Sequence, residues 1–426
     1  MKKALLFAIM FGCIGMAVWF WVTMLTGGLP WPVYLYDAGR LLALTAFILL
    51  AFQFVLSSRT RWIEKGIGLD RLTGIHKQCG LLILILVTLH PILIFLSERL
   101  QGYAAPMSLL KTVGLITLLL VWTAAGAALL YGKIPMTYES WKRIHLIGYA
   151  ILPIAFLHSF FIGSTLQRAP LKGLWVILFL IYLMILANRI RRRYSVKRHP
   201  LTVKEVRQET EDICALRFEG DHPDYAPGQF MFLQLEGQGR ISEPHPFTVA
   251  SSPTQKDLAV CVKAVGDFTS TLAETRLSDR AYVDMPFGVF SFVNHDASRL
   301  IFIAGGIGIT PFLSMLRYLR DRAIPKEVIL LWANKREKDI AFRAELDDMT
   351  SKMSSLRVVH VLSREKDWDG ERGHIDREML QRHVGDVTIG EFFVCGPVPM
   401  MAAVTRALRD LGVSKRRIHS ERFALR

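Results

Sequence analysis

The sequence predicts a multi-domain protein: a six-helix transmembrane bundle, then an antiparallel β-barrel, then a doubly wound α/β domain. Three observations carry that prediction. The 426-residue chain is 51% hydrophobic and only 21% charged, and both kinds of residue are unevenly placed. Residues 1–190 hold long apolar runs with few charges, whereas residues 191–426 read as ordinary soluble protein. Within that second half, short alternating runs between Gly, Pro and Asp turns give way near Arg299 to strand–helix alternation. At about 150 residues per domain the length allows two or three domains. The expected divisions are 1–193, 194–296 and 297–426.

Each span needs about 20 apolar residues to cross a hydrocarbon layer about 30 Å thick. Six stretches qualify: 4–26, 40–56, 75–96, 109–131, 144–163 and 173–190. The first follows Met1-Lys2-Lys3 in the manner of a signal peptide. Its apolar run is too long for that and no small-x-small cleavage site follows, so a retained helix is expected. This composition excludes a disordered chain and a purely soluble enzyme. The five cysteines (Cys13, Cys79, Cys214, Cys261, Cys395) form no CxxC pair, which argues against a zinc ribbon or a disulfide framework.

The net charge of +15 is a matter of orientation. One set of connections carries Lys2, Lys3, Arg59, Arg61, Lys65, Arg71, Lys77, Lys133, Lys142 and Arg143, and then the exit cluster Arg189, Arg191, Arg192, Arg193, Lys197 and Arg198. The alternate set carries only Arg40, Arg99, Lys111, Arg168 and Lys172. The positive-inside rule then places both termini and the soluble half in the cytoplasm of a cell-membrane protein. The exit cluster suits lipid headgroups, and no nucleic-acid role is expected.

Four of the twelve histidines fall within the spans: His76 and His90 on the third, His145 and His158 on the fifth. The third and fifth helices run the same way, so His76 matches His145 in depth and His90 matches His158. The spacing of 14 residues on the third helix amounts to about 21 Å along its axis, one level near each bilayer face. Two levels, each with one imidazole from each of two helices, is the pattern of bis-histidine haem ligation. No acidic or sulfur ligand accompanies the histidines, which disfavours a transition-metal pair. On an ideal helix a spacing of 13 leaves His145 and His158 about 140° apart. Pro153 lies between them, and a kink there is expected to re-aim the second half.

In the soluble half, 201–206, 213–218, 230–235, 247–250 and 258–263 read as strands of a barrel over 195–293. Strands are expected next at 299–304, 326–332, 357–362 and 391–395, with helices at 311–322, 339–350, 375–383 and 397–411. Such a sheet binds its ligand beyond the strand C-termini. Gly305-Gly306-Ile307-Gly308-Ile309-Thr310-Pro311 follows the first of these strands. Its glycines allow backbone to approach a pyrophosphate, Thr310 can cap the following helix and Pro311 fits the first turn. His245-Pro246-Phe247-Thr248 opens a strand, and Gly266-Asp267-Phe268-Thr269 follows the strand that ends at Lys263. A basic or polar side chain with a glycine-led helix start suits a flavin pyrophosphate. Ser363-Arg364 offers a hydroxyl and a guanidinium to a ribose 2′-phosphate, with Lys335 and Arg336 as further candidates. Cys395-Gly396-Pro397 ends the last parallel strand, and Phe423 lies near the C-terminus.

This order of motifs resembles the dehydrogenase module of ferredoxin-NADP reductases. With six helices and histidine pairs ahead of it, the chain resembles the NADPH oxidase/ferric reductase superfamily, and within it a minimal prokaryotic NADPH oxidase. The resemblance implies a FAD-binding barrel and a Rossmann-like NADP domain. It implies an inner haem b on His76 and His145 and an outer one on His90 and His158. FAD would be held by His245–Thr248, Lys263 and Gly266–Thr269, with Thr248 near the reactive flavin nitrogen. Phe423 would stack on the isoalloxazine, although Ala424, Leu425 and Arg426 follow it. Cys395 would sit near the nicotinamide carbon that gives hydride. Electrons would pass from NADPH (or NADH) through FAD and the two haems to dioxygen, giving superoxide, or alternatively to a ferric chelate. The sequence contains no EF-hand loop, so activity without calcium or an obligatory protein partner is expected.

Overall fold

The computed structural model describes residues 2–25, 27–102, 106–237 and 240–421. It divides into two compact units, Met1–Arg192 and Arg193–Arg426.

In the first unit, α1 (Lys2–Val22), α2 (Trp31–Ser57), a short α3 (Arg61–Ile67), α4 (Leu69–Leu100) and α5 (Leu109–Leu130) precede the paired α6 (Tyr138–His145) and α7 (Gly148–Ile162), and α8 (Ala169–Arg198) closes it. Among the described residues, six stretches are long and apolar enough to cross a membrane: Ala4–Val22, Trp31–Ser57, Arg71–Leu100, Leu109–Leu130, Tyr138–Ile162 and Ala169–Arg198. Many large apolar side chains on them face outward, among them Phe11, Trp19, Leu119 and Phe161. That suits a solvent of lipid tails.

Two expectations about the helices need correction. The second span begins at Trp31, well before 40, because its first turns carry Asp37 and Arg40, which interrupt the apolar run. Those two form an ion pair at 2.8 Å, and the Arg40 guanidinium also donates to the Thr165 hydroxyl, so the charges are satisfied inside the unit. The fifth span is broken at Leu146–Ile147, while Pro153 sits inside a continuous α7. Pro153 has no N–H for the Tyr149 carbonyl one turn earlier, and the Tyr182 hydroxyl of α8 donates to that carbonyl instead, at 2.7 Å. The proline is thus accommodated by a neighbouring helix, and the helical run of the fifth span is interrupted at the preceding turn.

In the second unit, the strands of the first sheet are β1 (Leu201–Thr210), β2 (Ile213–Glu219), β3 (Phe230–Gly237), β4 (Arg240–Ile241), β5 (His245–Thr248), β6 (Leu258–Lys263) and β7 (Arg280–Phe287). They run in the order β4-β3-β7-β1-β2-β6, with β5 also on β3. All the pairings are antiparallel, and an isolated bridge Val249↔Val260 brings the end of β5 to β6, curling the sheet back on itself. The strands β4 and β7 lie outside the runs that the sequence predicts.

The second sheet is parallel: β8 (Arg299–Gly305), β9 (Glu327–Asn334), β10 (Leu356–Leu362), β11 (Glu371–Arg372), β12 (Glu391–Cys395) and β13 (Ile418–Glu421). Its order is β11-β10-β9-β8-β12-β13. The chain winds from β8 outward to β11, then crosses back to place β12 on the other side of β8. The winding direction therefore reverses between β8 and β12, where such sheets open a ligand crevice. A four-residue α9 (Asp267–Ser270) belongs to the barrel, and α10 (Thr310–Asp321), α11 (Arg343–Lys352), α12 (Arg377–Val384) and α13 (Val398–Asp410) flank the parallel sheet. Leu300, Ile301, Phe302, Ile303 and Ala304 are fully buried, as expected of a central parallel strand covered on both faces.

Candidate functional site

The membrane unit brings its four histidines together in two pairs. The His76 and His145 ring centroids lie 6.0 Å apart with planes at 72°, and those of His90 and His158 lie 6.5 Å apart at 67°. A metal–imidazole bond of about 2 Å on each side, plus about 1 Å from nitrogen to ring centre, separates two axial imidazoles by about 6 Å. Both pairs fit one iron each.

The environment of the rings fits as well. The Nδ1–H of His90 donates to the Gly39 carbonyl of α2 at 2.9 Å, and that of His158 to the Leu110 carbonyl of α5 at 2.7 Å. A carbonyl only accepts, so the proton sits on Nδ1 and Nε2 keeps the lone pair a metal needs. His145 approaches the Ala124 carbonyl less closely, at 3.4 Å, and the Nδ1 of His76 is buried without a partner among the described residues. Gly114 makes the space for His158: a Cβ there would lie 2.5 Å from Cε1 and 2.8 Å from Nδ1 of that ring. Neither the carbonyl anchors nor Gly114 was marked in the sequence, because a glycine in an apolar helix carries no periodic signal.

In the barrel, β5 and the loop after β6 meet. The His245 ring stacks on Phe268 with centroids 4.0 Å apart and planes at 11°, so His245–Thr248 and Gly266–Thr269 form one surface. Thr269 folds back on its own loop, its hydroxyl accepting from the backbone N–H of Val265 and of Gly266. The helix at Gly266 is only four residues long, so any phosphate contact there rests on individual N–H groups and little on a helix dipole. Lys263 pairs with Asp212 at 2.9 Å. Thr248 is 4% exposed, and its hydroxyl has no partner among the described residues. A buried hydroxyl without a partner is the kind of group a bound flavin would satisfy.

The parallel sheet supplies the crevice. Gly305 ends β8, and Gly306–Ile309 form a single turn that runs straight into α10. Thr310 is therefore the first residue inside the helix, not its cap: its hydroxyl donates back to the Ile307 carbonyl at 2.7 Å, because Ile309 already has helical backbone. Pro311 does sit in the first turn. A Cβ on Gly308 would lie 2.7 Å from the Cys395 carbonyl carbon and 2.9 Å from Gly396 Cα, so this glycine lets the ends of β8 and β12 close on each other. Trp332 of β9 donates to the Gly306 carbonyl at 3.0 Å and steadies the loop. Cys395 is fully buried, and burial, with the Glu421 carboxylate nearby, pushes its thiol well above the ordinary range.

Ser363 and Arg364 follow β10 and lie against the residues that follow β9. The Ser363 N–H donates to the Asn334 carbonyl at 3.1 Å and the Arg364 N–H to that of Lys335 at 2.8 Å. Four exposed polar or cationic side chains, Lys335, Arg336, Ser363 and Arg364, are thereby gathered beside the crevice. One anchor was missed in the sequence: Arg317 on α10, buried, donates to the Ala250 carbonyl at 2.7 Å and forks onto Glu345 at 2.7 and 2.6 Å. It ties the end of the β5 segment to the parallel-sheet domain. Phe423 lies outside the described residues.

Comparison with known proteins agrees with this arrangement. Residues 42–156 match the model of the ferric reductase like transmembrane component, 195–305 that of a FAD-binding domain, and 302–406 that of an oxidoreductase NAD-binding domain. The glycine betaine monooxygenase reductase subunit of Pseudomonas aeruginosa is 31% identical over 238 residues, covering 53% of this chain and 64% of that protein. NADH-cytochrome b5 reductase 1 of Mortierella alpina is 28% identical over 209 residues, covering 47% of this chain and 69% of that one. The chain thus spans less than two thirds of the first of these relatives. The flavohemoglobin of Malassezia yamatoensis is alike in fold, with a TM-score of 0.51 at 16% identity over 91% of this chain and 99% of that one. The chain is a multi-pass membrane protein in which a ferric-reductase-like transmembrane domain precedes FAD-binding and oxidoreductase NAD-binding domains. That is the architecture of ferric reductases and NADPH oxidases with a fused ferredoxin-reductase-like module.

Proposed function

We propose that this protein is a transmembrane NADPH oxidase, taking electrons from cytosolic NADPH and delivering them through FAD and two b-type haems to dioxygen on the outer face, with superoxide as product. The observation that supports it most is the pair of imidazole levels, 6.0 and 6.5 Å between centroids, in one chain with FAD-binding and NAD-binding domains. His76 with His145 ligates one haem and His90 with His158 the other. The carbonyls of Gly39 and Leu110 keep two of these rings in the tautomer that ligation needs. When bound, FAD supplies the exchange between a hydride pair and single electrons, and haem supplies one-electron transfer.

The remaining roles belong to side chains and loops. His245–Thr248, Lys263 and Gly266–Thr269 would hold the flavin, with the Thr248 hydroxyl serving its reactive nitrogen and Phe423 its ring. Gly305, Gly306, Gly308, Thr310 and Pro311 receive the NADPH diphosphate, with Cys395, Gly396 and Pro397 beside the nicotinamide. Ser363 and Arg364, with Lys335 and Arg336, take the 2′-phosphate. The domains divide as 1–193, 194–296 and 297–426. The excess of Lys and Arg on one set of connections puts the reductase half in the cytoplasm. The reading needs no partner subunit.

The test is NADPH oxidation by the purified protein, in air and then without oxygen in the presence of a ferric chelate. Superoxide-dismutase-sensitive reduction of cytochrome c reads the aerobic product. Activity lost without oxygen is expected. Equal or faster anaerobic chelate reduction would overturn the oxidase reading in favour of a ferric-chelate reductase, and a preparation without haem would overturn the electron path.

A further inference from the structure

Three side chains at the far end of the parallel sheet have no part in the reductase chemistry. His295 lies in the connection between β7 and β8, Glu391 is the first residue of β12, and His419 is the second residue of β13. Their ligand atoms all lie within 4.8 Å of one another, and all three side chains are half-buried. The His419 Nε2 and a Glu391 carboxylate oxygen are 2.6 Å apart, and the His295 and His419 ring centroids lie 3.9 Å apart with their planes tilted by 42°. Phe393 packs against both rings and fixes them in place.

Two imidazoles this close repel if both are charged. If both are neutral, only the His419–Glu391 contact uses any of their ring nitrogens among the described hydrogen bonds. A divalent cation satisfies both rings and the carboxylate at once. The arginines beside these strands are engaged elsewhere. Arg299 is held by Glu327 and by the Val384 and Asp386 carbonyls, and Arg417 by the Gly390 and Thr388 carbonyls.

We propose that His295, Glu391 and His419 bind one Zn²⁺, with water at the fourth, solvent-facing position. Two histidines and one glutamate form a known zinc donor set, with bonds of about 2 Å and ligands about 3.3 Å apart. The present spacings, from 2.6 Å for His419–Glu391 to at most 4.8 Å, bracket that value, so binding would open the first contact and draw the wider ones in. Nitrogen donors favour the zinc class over magnesium or calcium. The strand from Glu391 to Cys395 is about 13 Å long, so the metal sits at the opposite end of β12 from the crevice. Its role is a tether: it joins the connection between barrel and parallel sheet to the last two strands, β12 and β13.

The test uses the full-length holoprotein, purified without a histidine tag and equilibrated with Zn²⁺ alone. Zinc is counted by metal analysis, and affinity is read by competition with a chromogenic chelator. One zinc per chain is expected for the wild type, with affinity at least about tenfold weaker in each of His295→Ala, Glu391→Gln and His419→Ala. His222→Ala, outside the cluster, should bind as the wild type does. Zinc retained by all three cluster variants, or no zinc bound by the wild type at micromolar free metal, overturns the site. Zinc should also slow amide exchange over Ile418–Glu421 in the wild type and not in Glu391→Gln; binding without that protection overturns the tether.

Discussion

Gly114→Ala should remove one haem and leave the other. A methyl group at Gly114 would stand 2.5, 2.8 and 3.0 Å from Cε1, Nδ1 and Nε2 of His158, where ordinary contacts lie at 3.4–4 Å. The ring must therefore retreat by about 1 Å, since α5 itself is packed along α7 and cannot move away freely. That retreat strains the 2.7 Å bond from His158 Nδ1–H to the Leu110 carbonyl and swings Nε2 off the axis it shares with His90. Overpacking of this kind costs about 1–3 kcal/mol. Charged wholly to haem affinity at that level, the cost is a loss of about 5- to 150-fold. The control is Gly126→Ala on the same helix, where an added Cβ meets nothing within 4 Å. Haem per chain, measured as the pyridine haemochromogen, should fall from about two to about one in Gly114→Ala and stay at about two in Gly126→Ala. NADPH–ferricyanide turnover by the reductase half should be the same in both. Two haems with an unaltered reduced spectrum in Gly114→Ala would refute the reasoning, and so would equal losses in the two variants.

Other consequences are as direct. Arg364→Ala should raise the KM for NADPH about tenfold or more, and that for NADH little, since one charge-assisted bond to the 2′-phosphate is worth about 1.5–3 kcal/mol; equal effects on both would remove the role. Thr248→Val takes away a buried hydroxyl that has no partner among the described residues. The FAD-free chain should be no less stable than the wild type, while flavin-dependent NADPH turnover should drop about tenfold; lower stability with unchanged turnover would contradict a flavin contact. The Cys395 thiol is raised by burial and then by Glu421, so it stays neutral across the physiological range. Its folded value exceeds its unfolded one, so its share of stability is whole below the ordinary thiol range and fades as pH climbs above it. Iodoacetamide at pH 8 should spare NADPH–ferricyanide activity until the protein is denatured; fast inactivation traced to Cys395 would show an exposed thiolate instead.

Much of the fold is legible in the chain because its signals are local. An apolar run of about 20 residues announces a span wherever it occurs, and strand–helix alternation announces a parallel sheet. The reading falters where a distant residue settles the matter. Asp37 and Arg40 hid the first turns of α2, and only their pairing with each other and with Thr165 makes those charges tolerable in a span. Pro153 looked like the breaking point of the fifth helix, yet the Tyr182 hydroxyl repairs its missing bond from 29 positions away in sequence. Thr310 looked like a cap because Thr-Pro suits a helix start, but the glycine turn before it was already helical in backbone. The short strand β13 carries too few residues to show a period of two.

The sequence by itself determined the order of parts and the residue types on offer. It specified six apolar spans, two histidines on each of two of them, a glycine-rich turn after a buried strand, and a cationic cluster where the chain leaves the last span. Composition and short-range periodicity are enough for that, because each depends on neighbours within a few turns. Only the tertiary structure decided which carbonyls hold the imidazole protons, which glycine leaves room for a ring, and that the ends of β8 and β12 close on each other. Gly308 and Cys395 meet across 87 positions, and His295 reaches His419 across 124. Contacts at such separations arise from the packing of whole helices and the winding of a sheet, and no local pattern encodes them.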